Sequence, residues 1–94
     1  EEITRAEYAM AVQSLLVLAT KDAGLETRYF GENPSRFGDV PSSHFAYNAM
    51  ALCAERSIMQ VDMITGRFNP SGTVTGADAL LIIRGIQSSL RMTF

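Results

Sequence analysis

The side chain in this sequence best suited to hold a ligand is Arg5. It lies in the run Ile3-Thr4-Arg5-Ala6-Glu7, which has the form of a helix capping box. In such a box the Thr4 hydroxyl accepts from the Glu7 N–H, and the Glu7 carboxylate accepts in return from the Thr4 N–H. Arg5 would then stand on a first helical turn, beside free backbone N–H groups. A guanidinium there is suited to grip a carboxylate by paired hydrogen bonds. Plain solvation, or an ion pair with Asp39 or a neighbouring Glu, would satisfy it equally. Asp39 precedes a turn and a helix, so it can orient a ligand hydroxyl or simply cap its loop. His44, the only histidine, opens a predicted helix and reads as a packing or hydrogen-bonding residue rather than a general base. Phe45 lies beside a predicted core stripe and is expected to be buried.

Other chemistry finds little support. Cys53 is the only cysteine, so it forms no internal disulfide and no cysteine cluster, and it reads as a small buried hydrophobe. Nucleophilic catalysis needs a base beside Ser or Cys, and His44 has no evident partner. No Gly-rich phosphate loop or two-histidine motif is present. The stretch from Asn69 to Asp78 has some character of a calcium loop. However, setting Gly72 at the loop's glycine places the cation Arg67 where the first carboxylate ligand belongs. The expectation is a domain that is not an enzyme and needs no metal or cofactor.

The 94 residues suit one compact domain, and a hydrophobic content of 47% allows a core. The formal charge is −2 without a basic cluster, which argues against nucleic acid and against a polybasic membrane patch. The apolar runs are short, five residues at Tyr8 to Val12, Leu15 to Ala19 and Ala79 to Ile83 and six at Ala49 to Ala54; a spanning helix needs about 20. No signal peptide is visible, which suggests a processed or excised fragment.

These residues must be positioned by helices. Periodicity and caps predict three, near 4–20, 43–57 and 75–91, with the first and third packed together. Lys21 and Gly24 would close the first. Ser42 or Ser43 would cap the second, whose Ala46, Ala49, Met50 and Cys53 form a buried stripe. Thr75 would cap the third, with Asp78 in its first turn. Long irregular segments join them: about Gly24 to Ser42, with Tyr29 and Phe30 lining a groove or pinning the loop, and Ser57 to Val74. The apolar residues of the first and third helices occupy more than one face, which predicts self-association or docking onto an adjacent segment. Two helices also open alike, Ile3-Thr4-Arg5-Ala6-Glu7 and Val74-Thr75-Gly76-Ala77-Asp78. That suggests the second half of one repeat (1–36, with its linker) followed by one full repeat (37–94).

Together these segments resemble the S-layer homology family. Phe37-Gly38-Asp39-Val40-Pro41 followed by His44-Phe45-Ala46 is similar to its F-x-D-V-P and H-W-A opening. Gly66-Arg67-Phe68-Asn69-Pro70 is similar to its G-x-F-x-P turn, and Ile3 to Glu7 matches its T-R-A-E helix start. The resemblance implies an all-α repeat domain of the bacterial cell surface or periplasmic envelope. It also implies non-covalent binding of anionic, often pyruvylated, cell-wall polysaccharide, with Arg5 as the charge contact. Thr4, Glu7, Asp39, His44 and Phe45 are the accompanying candidates. Gly76 stands where the second motif would carry arginine, Phe45 replaces tryptophan, and Ser57 and Val61 replace common glycines. An assembly module that kept the fold and lost the sugar site is the alternative.

Overall fold

The computed structural model describes residues 3–93, with side chains through residue 88. Among the described residues it contains three α-helices and no sheet: α1 (Arg5–Thr20), α2 (Tyr47–Glu55) and α3 (Gly76–Thr93), with a 3-10 turn at Ala23–Glu26. The all-α expectation holds, with differences at the helix ends.

The capping box of α1 forms as the sequence predicts. The Glu7 N–H donates to Thr4 Oγ1 at 3.1 Å, and the Thr4 N–H donates to Glu7 Oε1 at 3.0 Å. The Thr4 N–H and the Thr4 hydroxyl, both donating to Glu7 Oε1 at 3.0 Å, hold the Glu7 carboxyl below its ordinary pKa of 4.5. The helix ends before Gly24, because Lys21 adopts the left-handed conformation (φ 56°). Ala6, Ala9, Val12 and Leu16 are buried, and spacings of three and four place them on one face. That face packs on α2, where the Cys53 thiol donates to the Ala9 carbonyl at 3.8 Å. α1 also touches α3, as expected, but its contact with α2 is the larger.

α2 starts later than predicted, at Tyr47, and neither Ser42 nor Ser43 caps it. His44 Nδ1 accepts the Ala46 N–H at 3.0 Å, and the His44 N–H donates to the Pro41 carbonyl at 3.0 Å. Local bonds of this kind compete with the first helical turn. Every residue from Tyr47 to Cys53 is buried, because α1 covers one side and the 22–42 segment the other. The helix closes in a Schellman motif: Ile58 N–H to Cys53 O at 2.8 Å, Ser57 N–H to Ala54 O at 3.1 Å, and Ser57 left-handed at φ 57°. Burial pushes the Cys53 thiol up to about 12, so it is inert, as the sequence suggests.

The Schellman turn delivers Ile58 to α3. A Cβ at Gly85 would lie 2.9 Å from Ile58 Cα, so the two backbones nearly touch, and Ile82 and Ile86 are buried on the same side of α3. Gly85→Ala should force this junction apart at a cost of about 1–3 kcal/mol, a typical penalty for overpacking. A urea unfolding midpoint equal to wild type would contradict that tight approach.

The long first connection is ordered. Asp22 Oδ1 caps the 3-10 turn through the Gly24 N–H at 3.0 Å. Leu25 and Tyr29 are buried, so Tyr29 pins the loop, whereas Phe30 is 67% exposed. Arg36 stands over the Tyr29 ring at 4.8 Å and bridges Glu32 (2.7 Å) and Glu55 (2.8 Å). The Tyr47 hydroxyl, also buried, donates to Glu32 at 2.8 Å. With Arg36 and Tyr47 both donating to it, the Glu32 carboxyl is held below 4.5.

Candidate functional site

The starts of α1 and α3 are pinned side by side. Thr4 and Thr73 form an antiparallel bridge, and the Val74 N–H donates to the Ile3 carbonyl at 3.0 Å. The Arg5 and Ala6 N–H groups donate to Gly72 O (2.7 Å) and Pro70 O (3.0 Å). These are the orphan donors of a helix start; here the Pro70–Val74 segment satisfies them, so they are not free for an anion. α3 repeats the capping box, with the Asp78 N–H donating to Thr75 Oγ1 at 3.1 Å.

Arg5 is half-buried, not loose on an exposed turn. Its Nε donates to the Phe68 carbonyl at 2.9 Å and its Nη2 to the Gln60 carbonyl. Its guanidinium carbon lies 4.7 Å from the centre of the Phe68 ring. Asp39 grips the same residue from the other end: Oδ1 accepts the Phe68 N–H at 2.9 Å and Oδ2 the Asn69 N–H at 2.8 Å. Both lone-pair edges of Asp39 are thus engaged in holding a turn whose Asn69 is left-handed (φ 60°). Thr4 and Glu7 are occupied by the cap.

Two depressions flank Arg5. The inner one, about 310 Å³, is lined with Ser57, Ile58, Met59, Gln60, Asp78, Leu81 and Ile82. The outer one, about 430 Å³, brings Arg67, Asn69, Thr73, Asp62 and Asp78 around Arg5 and Phe68. Asp62 accepts the Ile64 and Thr65 N–H groups at 2.8 and 3.2 Å, which holds its carboxyl below 3.8. A groove with two guanidiniums, two carboxylates, amides and a hydroxyl has the donors and acceptors for a hydroxyl-rich anion.

Phe45 is not buried: it is 79% exposed, with the His44 ring stacked on it at 4.6 Å and 22°. Phe45 follows the tight turn at His44 rather than lying within α2, which removes it from the helix's buried face. His44 and Phe45 line neither depression beside Arg5, so the six sequence candidates separate into a cap-and-turn cluster and an aromatic pair. Sequence reasoning passed over Asn48, the one buried polar residue in the described core. Its signal was available, since it is the only amide in the apolar run from Ala46 to Cys53.

Fold and groove define a small helical module with a polar, charge-lined cleft at paired helix starts. Residues 36–80, slightly under half of the chain, match the S-layer homology domain. Domains of that family generally anchor proteins to cell-wall polymers. No curated protein and no solved structure matches the chain. The matched segment contains Asp39, His44, Phe45, Arg67 and Phe68; α1 with Thr4, Arg5 and Glu7 precedes it. No helix among the described residues is long and apolar enough to cross a membrane.

Proposed function

We propose that the domain is a non-catalytic anchor of the bacterial cell envelope, working at the cell surface or in the periplasm and holding its protein to anionic, pyruvylated wall polysaccharide. The observation that carries this reading is the outer groove, where Arg5 and Arg67 meet amide and hydroxyl groups within reach of one ligand. The two like capping boxes at α1 and α3 support a half-plus-whole repeat organisation. Purified cell walls should retain the protein, and walls stripped of pyruvyl groups should retain much less. Equal retention on both would remove the anionic glycan from the proposal.

Gly76, the vacancy in the second motif, sharpens the test. A Cβ there meets nothing within 4 Å, so Gly76→Arg fits without displacement. It should stabilise α3 by up to about 1 kcal/mol, less this close to the cap, and increase wall retention through a third cation beside the groove. A variant that is no more stable and binds no better would contradict both expectations.

Self-association is a second reading, favoured by the exposure of Leu15 and Leu18 on α1 and of Leu80, Leu81 and Ile83 on α3. Exposed apolar side chains mark interaction sites where they gather into a patch. Sedimentation should show mass rising with concentration; a strict monomer at high concentration would eliminate this reading.

A further inference from the structure

The groove holds two arginines in different situations. Arg5 has given its Nε and Nη2 to the backbone carbonyls of Phe68 and Gln60 and lies over the Phe68 ring. That edge of the guanidinium fork is therefore closed to a ligand. What Arg5 still offers is its charge and its remaining Nη N–H groups. Arg67 is the reverse. Its backbone is held on both sides, the N–H donating to Thr65 Oγ1 at 3.3 Å and the carbonyl accepting the Asp62 N–H at 3.0 Å. The next residue, Phe68, is only 1% exposed and anchors the stem. Yet among the described residues the Arg67 guanidinium makes no direct hydrogen bond or ion pair, acting on Asp62 only through its charge, and it lines the outer depression.

From this contrast we infer that Arg67, rather than Arg5, makes the paired hydrogen bonds to the carboxylate of an acidic sugar in the outer groove. Arg5 is the positioning residue: it fixes Phe68 and so the wall from which Arg67 projects. This rests on the anchor reading above. It goes further in assigning the ligand contact to a residue outside the capping motif and in narrowing the ligand class. A planar carboxylate matches a free guanidinium fork. Asn69, Gln60 and Thr73 can bond sugar hydroxyls, and Asp62 and Asp78 accept from them. Those two carboxylates would repel a chain of closely spaced charges. The preferred ligand is therefore a hydroxyl-rich sugar carrying a single carboxylate. A depression of about 430 Å³ falls within the range of small-ligand sites.

The test uses a methyl hexoside carrying a pyruvate ketal, with the same hexoside lacking pyruvate as control. In an NMR titration of the intact chain, the Arg67 Nε–H signal should move with the charged sugar and stay still with the neutral one. Arg67→Gln should bind the charged sugar on the order of ten- to a hundredfold more weakly, the loss of one charge-assisted paired contact. Its thermal midpoint should change little, because the side chain makes no hydrogen bond in the fold and acts on Asp62 only through its charge. Arg67→Lys should recover only part of the affinity, since it restores charge without the fork. Undiminished affinity in Arg67→Gln, or no binding of the charged sugar by the native protein, would overturn the assignment. Wall retention measured alongside separates the two claims. Retention that survives Arg67→Gln keeps the anchor and removes Arg67; sugar binding at Arg67 without wall retention does the opposite.

Discussion

Replacing Asn48 with leucine is expected to destabilise the domain by roughly 3–5 kcal/mol, a large part of the ~5–10 kcal/mol available to a chain of this size. The Asn48 Oδ1 accepts the Tyr29 N–H at 2.7 Å, and its Nδ2 donates to the Leu25 carbonyl and to Gln13 Oε1, each at 2.6 Å. One buried amide thereby joins α2 to α1 and to the connection before it. Leucine fills the same space, so the cost is not a cavity. It is two buried backbone groups left without partners, each costing about 1–3 kcal/mol. Asn48→Asp keeps the acceptor for Tyr29 but faces Leu25 O and Gln13 Oε1 with a second acceptor, so it should be similarly damaging. Urea unfolding gives the magnitude, and amide exchange at Tyr29 gives the mechanism. A leucine variant within about 1 kcal/mol of wild type, with Tyr29 still protected, would refute the assignment, since that is less than one unpaired buried group costs.

Arg5→Ala should lower stability by about 1.5–3 kcal/mol, the usual range for hydrogen bonds made by a charged group. The sequence taken alone predicts no effect on the fold, because a first-turn arginine is normally solvated. In the structure its two bonds to Gln60 and Phe68 join the start of α1 to the turn that Asp39 holds from the other side. Wall binding should fall as well, both through the lost charge and through the loosened wall beneath Arg67. Arg5→Lys separates these effects: it retains the charge and loses the planar fork, so stability should fall while part of the binding remains. Unfolding of Arg5→Ala at the wild-type urea concentration would restore the picture of a free surface arginine.

Local rules made much of this protein legible. Thr4 with Glu7 and Thr75 with Asp78 predict where α1 and α3 begin, since a capping box satisfies its donors within four residues and needs nothing distant. The stripe at Ala46, Ala49, Met50 and Cys53 predicts the buried face of α2, and the loop and turn motifs carry the resemblance that the match over residues 36–80 shows. Where an irregular turn or non-local bonding decides, sequence was silent or misleading. Phe45 reads as core by spacing, but the His44 turn ends the periodicity that would have buried it. Arg5 reads as free because its acceptors lie at Gln60 and Phe68, more than fifty positions away. Arg67 reads as a mere cation until the pairing of Ile3 and Thr4 with Thr73 and Val74 brings its turn beside the start of α1. The sequence by itself determined the three helices, the starts of α1 and α3 and the buried face of α2, because those signals are written within a turn or two of the chain. Only the tertiary structure decided which arginine is engaged and which is free, because hydrogen-bond partners are allotted by proximity in space.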